Sequence, residues 1–181
     1  MARAPAVDSP PDFSNPYQAF QNLMPFRVQD ILLVSSLYDS FTLQEDGRLN
    51  ELIAGEFLEL SLPHMPGLTH VSSGAEALSL AISERRFNLI ITTIRAADMD
   101  ATELAREVKR AGLDIPVVAM AYDNDERKDF EAHHDVSELD GLFLWQGNAR
   151  IMVAIVKYVE DLRNVEHDTA MMGVRVVLVV E

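Results

Sequence analysis

The sequence predicts an α/β domain built on a doubly wound, five-stranded parallel sheet. Three observations carry that expectation. Five short strand-like runs, four of them mainly apolar, recur along the chain, at 30–34, 68–71, 88–93, 115–121 and 141–145. They are short for helices, and all but 68–71 are mainly apolar on both alternating sides, the pattern of strands covered on two faces. Between them lie segments whose apolar residues return every three or four positions, as on one face of a helix. Alternation of strand and helix implies parallel pairing with right-handed crossovers.

Residues 1–12 hold Pro5, Pro10 and Pro11 among small residues and predict an arm without fixed structure. Phe13, Tyr17, Phe20, Leu23 and Met24 recur near helical spacing and predict a short helix over 13–26. Pro16 falls in its first turn, where a missing N–H costs nothing. After the first strand, Leu49, Leu52, Ile53, Phe57 and Leu60 trace one helical face, and a loop over 62–67 leads to the second strand. Gly74 opens a helix presenting Leu78, Ala81 and Ile82, followed by the third strand.

Asp100, with Glu103 three residues on, reads as a capping box for a helix over 102–111 that Gly112 stops. Pro116 sits at the start of the fourth run, where a sheet tolerates it. Phe130 anchors a polar helix over 124–134. After the fifth strand comes a strongly amphipathic helix, with Ile151, Ile155, Val159 and Leu162 on one stripe. The layout fits the flavodoxin-like strand order 2-1-3-4-5, in which ligands sit beyond the carboxyl ends of the strands.

Composition excludes several functions. A formal charge of −14 repels nucleic-acid phosphates and anionic lipid, so neither nucleic acid nor membrane is expected as a partner. The chain has no run long and apolar enough for a membrane span, and its first residues lack the apolar core of a secretory signal. Cysteine is absent, which removes disulfides and thiolate metal sites and fits a cytoplasmic location. The acid concentrates between Asp123 and Asp140, either as a solvated surface or as a docking surface for a basic partner.

Residues 28–164 resemble the receiver domains of response regulators. The resemblance rests on Ile31-Leu-Leu-Val34, on Val71-Ser-Ser-Gly-Ala-Glu-Ala-Leu78, on Asp98-Met-Asp100, on Ile115-Pro-Val-Val118 and on Asp140-Gly141. Spacing departs from the family in one respect, a longer interval from Ser36 to Thr93, with the surplus expected in 35–47 or 61–67.

The resemblance implies a phosphoacceptor aspartate where this chain has Thr93, and a magnesium-binding acidic pair where it has Ser35 and Ser36. It implies a hydroxyl where Ala121 stands, and a charge-balancing lysine where Trp145 stands, followed by Gln146 in place of proline. All five positions depart together, so the expected reading is a degenerate site: no catalytic residues, no metal, no cofactor, no enzyme.

Other readings of these residues stay open. Thr93 could accept phosphate from a serine/threonine kinase, or simply pack at a strand end. Ser35 and Ser36 could bind an anion or cap a turn. Asp39, Asp98 and Asp100 could hold a cation or serve loop solvation and helix capping. His133-His134-Asp135 looks like a metal fragment or a solvated helix end. Trp145 reads as a plug for the space a lysine would leave.

The function expected is a phosphorylation-incompetent signalling module that docks through its fourth helix, fifth strand and fifth helix. That face comprises 124–134, 142–145 and 150–162, with Phe130, Leu142, Phe143, Ile151, Ile155 and Tyr158 as contacts. The alternative is a small-ligand sensor of nucleotides or anions using Ser35, Ser36, Tyr38, Ser40, Thr92 and Thr93.

The apolar run 173–181, after a linker from Asn164, repeats the layout of 28–35 and reads as the first strand of a truncated next domain. Domains are therefore expected at 1–27, 28–164 and 165–181. The N-terminal phrases also resemble regions of bacterial proteins that join receivers to a pyruvate, phosphate dikinase-type module binding ATP and phosphoenolpyruvate. Expected partners are other domains of the same longer protein, a second copy, or a regulatory protein.

Overall fold

The computed structural model describes residues 22–35, 49–60, 62, 64–146 and 148–175. Five parallel strands form one sheet in the order β2-β1-β3-β4-β5. The strands are β1 (Asp30–Val34), β2 (Gly67–Val71), β3 (Leu89–Thr93), β4 (Val117–Ala121) and β5 (Gly141–Leu144). The helices are α1 (Leu49–Glu59), α2 (Gly74–Glu84), α3 (Ala101–Arg110), α4 (Asn124–His133) and α5 (Arg150–Met172). A single 3-10 turn, Val136–Glu138, precedes β5.

The central strands bury every side chain from Ile31 through Val34 and throughout β3 and β4. That explains their unbroken apolar spelling, each large aliphatic side chain contributing roughly 1.5–3 kcal/mol on burial. On one face, Leu32, Val34 and Ile90 meet Ala77 and Ala81 of α2 and Leu104, Ala105 and Val108 of α3. Ala119, Ala121 and Ile94 pack with Phe130 of α4. On α1 and α5, Arg150 forks to Glu56 at 2.8 Å and Glu59 at 3.1 Å, tying the two helices together.

Side-chain pins fix the amino ends of the strands. The Asn88 carboxamide oxygen accepts from the N–H groups of Gln29 and Asp30 at 3.0 and 3.2 Å, joining β1 to β3. The Asp140 carboxylate accepts from Val117 N–H at 2.8 Å, joining β4 to β5. The helix α3 ends at Gly112 with φ 69, where Gly112 N–H reaches Lys109 O and Leu113 N–H reaches Val108 O. This is the left-handed stop expected of a glycine there.

Internal packing divides the chain into Val28–Val159 and a smaller unit formed by residues up to Arg27 with those from Glu160 onward. In the smaller unit, Asn22–Arg27 is irregular, so the helix expected over 13–26 does not extend through Leu23 and Met24. Met24 takes φ 55, off the helical path, and Pro25 after it disfavours helix at that residue. Phe13, Tyr17 and Phe20 lie outside the described residues.

The interval expected as a linker, 164–172, is helical and continues α5 to Met172. Gly173, at φ 62, then closes the helix, its N–H reaching Ala170 O and that of Val174 reaching Thr169 O. The strand expected over 173–181 is not formed at Gly173–Arg175; the remainder lies outside the described residues.

Four apolar assignments change, on three helices. Leu52 and Leu60 are 52% and 53% exposed, so α1 buries a narrower stripe centred on Ile53 and Phe57. Ile82 is exposed, because α2 faces the sheet with its small residues Ala77 and Ala81. Leu162 is also exposed, leaving Met152, Val153, Ile155, Val156 and Val159 as the buried apolar side chains of α5.

Candidate functional site

The carboxyl edge of the sheet gathers the positions singled out in the sequence. Val34 pairs with Thr92, so Ser35 and Thr93 follow side by side at the ends of β1 and β3. Thr93 pairs with Met120, Ala121 with Leu144, and Trp145 N–H donates to Ala121 O at 2.7 Å. Ser35, Thr93, Ala121 and Trp145 thus share one edge, and all are buried, at 0%, 2%, 0% and 6% exposure. Ser36, Asp39, Tyr38 and Ser40 lie outside the described residues.

The hydroxyls at this edge are satisfied internally. Thr92 Oγ1 donates to Thr93 O at 2.9 Å, and Thr93 Oγ1 donates to Arg95 O at 3.1 Å. Ser35 Oγ lies 2.9 Å from His70 Nε2. Sequence reasoning passed over His70; the available signal was a histidine one residue short of the end of the strand flanking β1.

The two acids after β3 are spent on helix ends. A bridge between Arg95 and Asp100, with Ala96 N–H on Met99 O, folds the loop back on itself. Asp98 accepts from the N–H groups of Gly74 at 2.7 Å and Ala75 at 2.9 Å, capping α2 beside its own cap Ser73. Burial pushes this carboxyl up, but the N–H groups of Ala75, Gly74, Asp98 and Met99 outweigh it and hold it below the usual range.

Asp100 caps α3 in a full capping box, accepting from Thr102 N–H, Thr102 Oγ1 and Glu103 N–H at 2.7–2.9 Å. Its carboxyl is raised by burial and lowered further by Thr102, Glu103 and the nearby His134, ending below its ordinary value. Capping, rather than cation binding, therefore accounts for both acids.

The His133-His134-Asp135 phrase disperses in space. His133 Nδ1 meets Asp129, His134 stacks on Phe130 at 4.3 Å with Nε2 toward Asp100, and Asp135 caps the 3-10 turn. Among the described residues no group of three or more His, Cys, Asp or Glu side chains could hold a metal ion, and no helix is long and apolar enough to cross a membrane.

No family model and no curated protein sequence matches the chain. Solved structures do. A receiver domain protein of Clostridium thermocellum superposes with a TM-score of 0.55 at 14% identity, covering 77% of this chain and 99% of that one. The N-terminal domain of a response regulator/sensory box/GGDEF 3-domain protein from Carboxydothermus hydrogenoformans gives 0.50 at 14% identity, over 77% and 99%. The adenylate cyclase from Rhodopirellula baltica gives 0.50 at 19% identity, over 78% and 96%. The fold is that of a response-regulator receiver domain.

On this receiver fold, the expected docking face is only partly a surface. Phe130 and Ile155 are 2% and 0% exposed and belong to the core, because α4 and α5 use them to seal against the sheet. Leu142 and Leu144 pack partly against the α4 cluster. What reaches solvent is Tyr158, with Phe143 half-buried edge-on to it at 5.3 Å. Gly141 permits that pair, since a Cβ there would lie 2.8 Å from Phe143 Cε2 and 3.2 Å from Tyr158 Cε1. Beside it, Leu144, Gln146, Asn148, Arg150, Ile151 and Ala154 line an open recess of 260 Å³.

Proposed function

We propose that this receiver-fold domain is a signalling module that takes no phosphoryl group and communicates through its surfaces. The carrying observation is the filled carboxyl edge, where Ser35, Thr93, Ala121 and Trp145 are buried and the serine is engaged by His70. A hard divalent cation needs anionic oxygen ligands, and phosphoryl transfer to the chain needs a nucleophile that can reach the donor. Among the described residues this edge presents neutral hydroxyls, a methyl group and an indole, while Asp98 and Asp100 are committed to helix N-termini.

The same internal satisfaction weighs against a small-ligand sensor, because Ser35, Thr92 and Thr93 would have to give up existing hydrogen bonds to hold a nucleotide or anion. On our reading the module has no catalysis of its own, works in the cytoplasm inside a longer regulatory protein, and meets other domains, a second copy or a regulatory protein. Contacts are made around Tyr158 and Phe143 and the adjoining recess. Titration with magnesium and beryllium fluoride, a phosphoryl mimic, tests this by amide NMR. No saturable shift at Ser35, Thr93 or Trp145 is expected; a saturable shift there would overturn the reading.

A further inference from the structure

The smaller unit joins two segments far apart in sequence, and the contacts between them are specific. Asn164 is 1% exposed, and its carboxamide grips one residue of the arm from both sides. Oδ1 accepts from Phe26 N–H at 2.9 Å, and Nδ2 donates to Phe26 O at 2.8 Å. This is the pairing a neighbouring strand would give, supplied by a side chain. Nδ2 also donates to Glu160 O one turn earlier in α5, which locks the amide orientation.

One turn further along α5, Asp168 accepts Met24 N–H on both carboxylate oxygens, at 3.0 and 3.2 Å. His167 braces that carboxylate at 2.9 Å. Met24 is left-handed at φ 55, a conformation a side chain disfavours and surrounding contacts must impose. Arg163 lies over the Phe26 ring at 5.8 Å. Asn164 and Asp168 are four residues apart, so both point from one face of the helix.

We propose that Met24–Phe26 is a releasable strap on α5, latched by Asn164 and Asp168, and that it sets how far α5 persists as a rigid helix. A helix end of two or three turns is marginal alone, because most helical stability comes from packing. The strap supplies that packing to 164–172. Because its main contacts read backbone, it holds by geometry and can be displaced as a unit. Capture of the arm by another molecule then loosens the far end of α5, coupling the chain before β1 to the helix that also carries Tyr158.

Hydrogen exchange on the full chain, resolved to 22–27 and 164–172, tests the strap. D168N and N164A should each speed exchange in both segments by about tenfold, since opening of one opens the other. M24G should slow exchange in both, because glycine adopts φ 55 without strain. Exchange in β1, β3 and β4 reports whether each variant remains folded, and D168N carries the test if N164A does not. Faster exchange confined to 22–27, with 164–172 unchanged, overturns the proposal, as does M24G exchange no slower than that of the parent chain.

Discussion

Ser35 Oγ stands 2.9 Å from His70 Nε2, and this contact joins the ends of β1 and β2 at the carboxyl edge of the sheet. Ser35 is fully buried, so its hydroxyl depends on that imidazole. His70→Ala leaves a buried polar atom without its partner and should cost about 1–3 kcal/mol. A urea-denaturation cycle checks it: adding Ser35→Ala to His70→Ala should recover part of the loss, because the orphaned hydroxyl is then gone.

Placing an acid at Thr93 should not create a phosphoryl-accepting site. Thr93→Asp places a carboxylate in a 2% exposed site beside neutral Ser35 and should destabilise by about 2–5 kcal/mol. Thermal melts with and without magnesium decide the point. Little or no magnesium-dependent recovery is expected, since a single carboxylate lacks the partners that hold such an ion.

Asp100 serves α3 through three hydrogen bonds and a reciprocal one from its own N–H to Glu103 at 3.2 Å. Loss of a cap of this kind costs about 0.5–2 kcal/mol. Asp100→Ala should fall at the upper end, because Thr102 Oγ1 loses its acceptor as well. The melting temperature should drop by a few degrees, roughly 2–4 °C per kcal/mol at this chain length.

The same two caps set an acid limit. Asp98 and Asp100 have folded-state values below their ordinary ones, so they bind protons less readily folded than unfolded. Their contribution is complete above the unfolded carboxylate value, about pH 4, and is lost as pH falls through the depressed folded values. Denaturation midpoints measured from neutral to acid pH should decline in that window, and Asp98→Asn with Asp100→Asn should flatten the decline.

Much of the fold was legible because its signals are local. Five strand-like runs, the Asp100–Glu103 box and the Gly112 stop each act within a few residues, and each appears where the pattern placed it. Burial was less legible on helices. The spacing of Leu52, Leu60 and Ile82 matches that of buried neighbours, and only the narrowness of the contact with the sheet separates them. Phe130 and Ile155 erred the other way, as anchors that seal their helices. His70 was invisible because its role exists only across the β1–β2 pairing, which brings residues 35 and 70 together. The reach of α5 was hidden for the same reason: beyond Arg163 its apolar residues break the stripe of its first turns, and the helix there is held by an arm far away in the chain.

Gly74 records a tertiary constraint of similar kind. A Cβ there would come within 2.5 Å of Met99 Cγ and Sδ, so an added methyl requires the flexible Met99 side chain to shift where the β3–α3 loop closes over the start of α2. Gly74→Ala should cost about 1 kcal/mol, the low end for overpacking, because the Met99 side chain can move aside. The cost should shrink in a Met99→Ala background, which a double-mutant cycle by urea denaturation measures directly.

The proposal at the centre of this reading is that the carboxyl edge of this sheet accepts no phosphoryl group. The most direct measurement is the intact mass of the chain after incubation with acetyl phosphate and magnesium, a donor that needs no partner kinase. The account predicts an unchanged mass. Gain of one phosphoryl group, mapped to Thr93 or Ser35 by fragmentation, would contradict it.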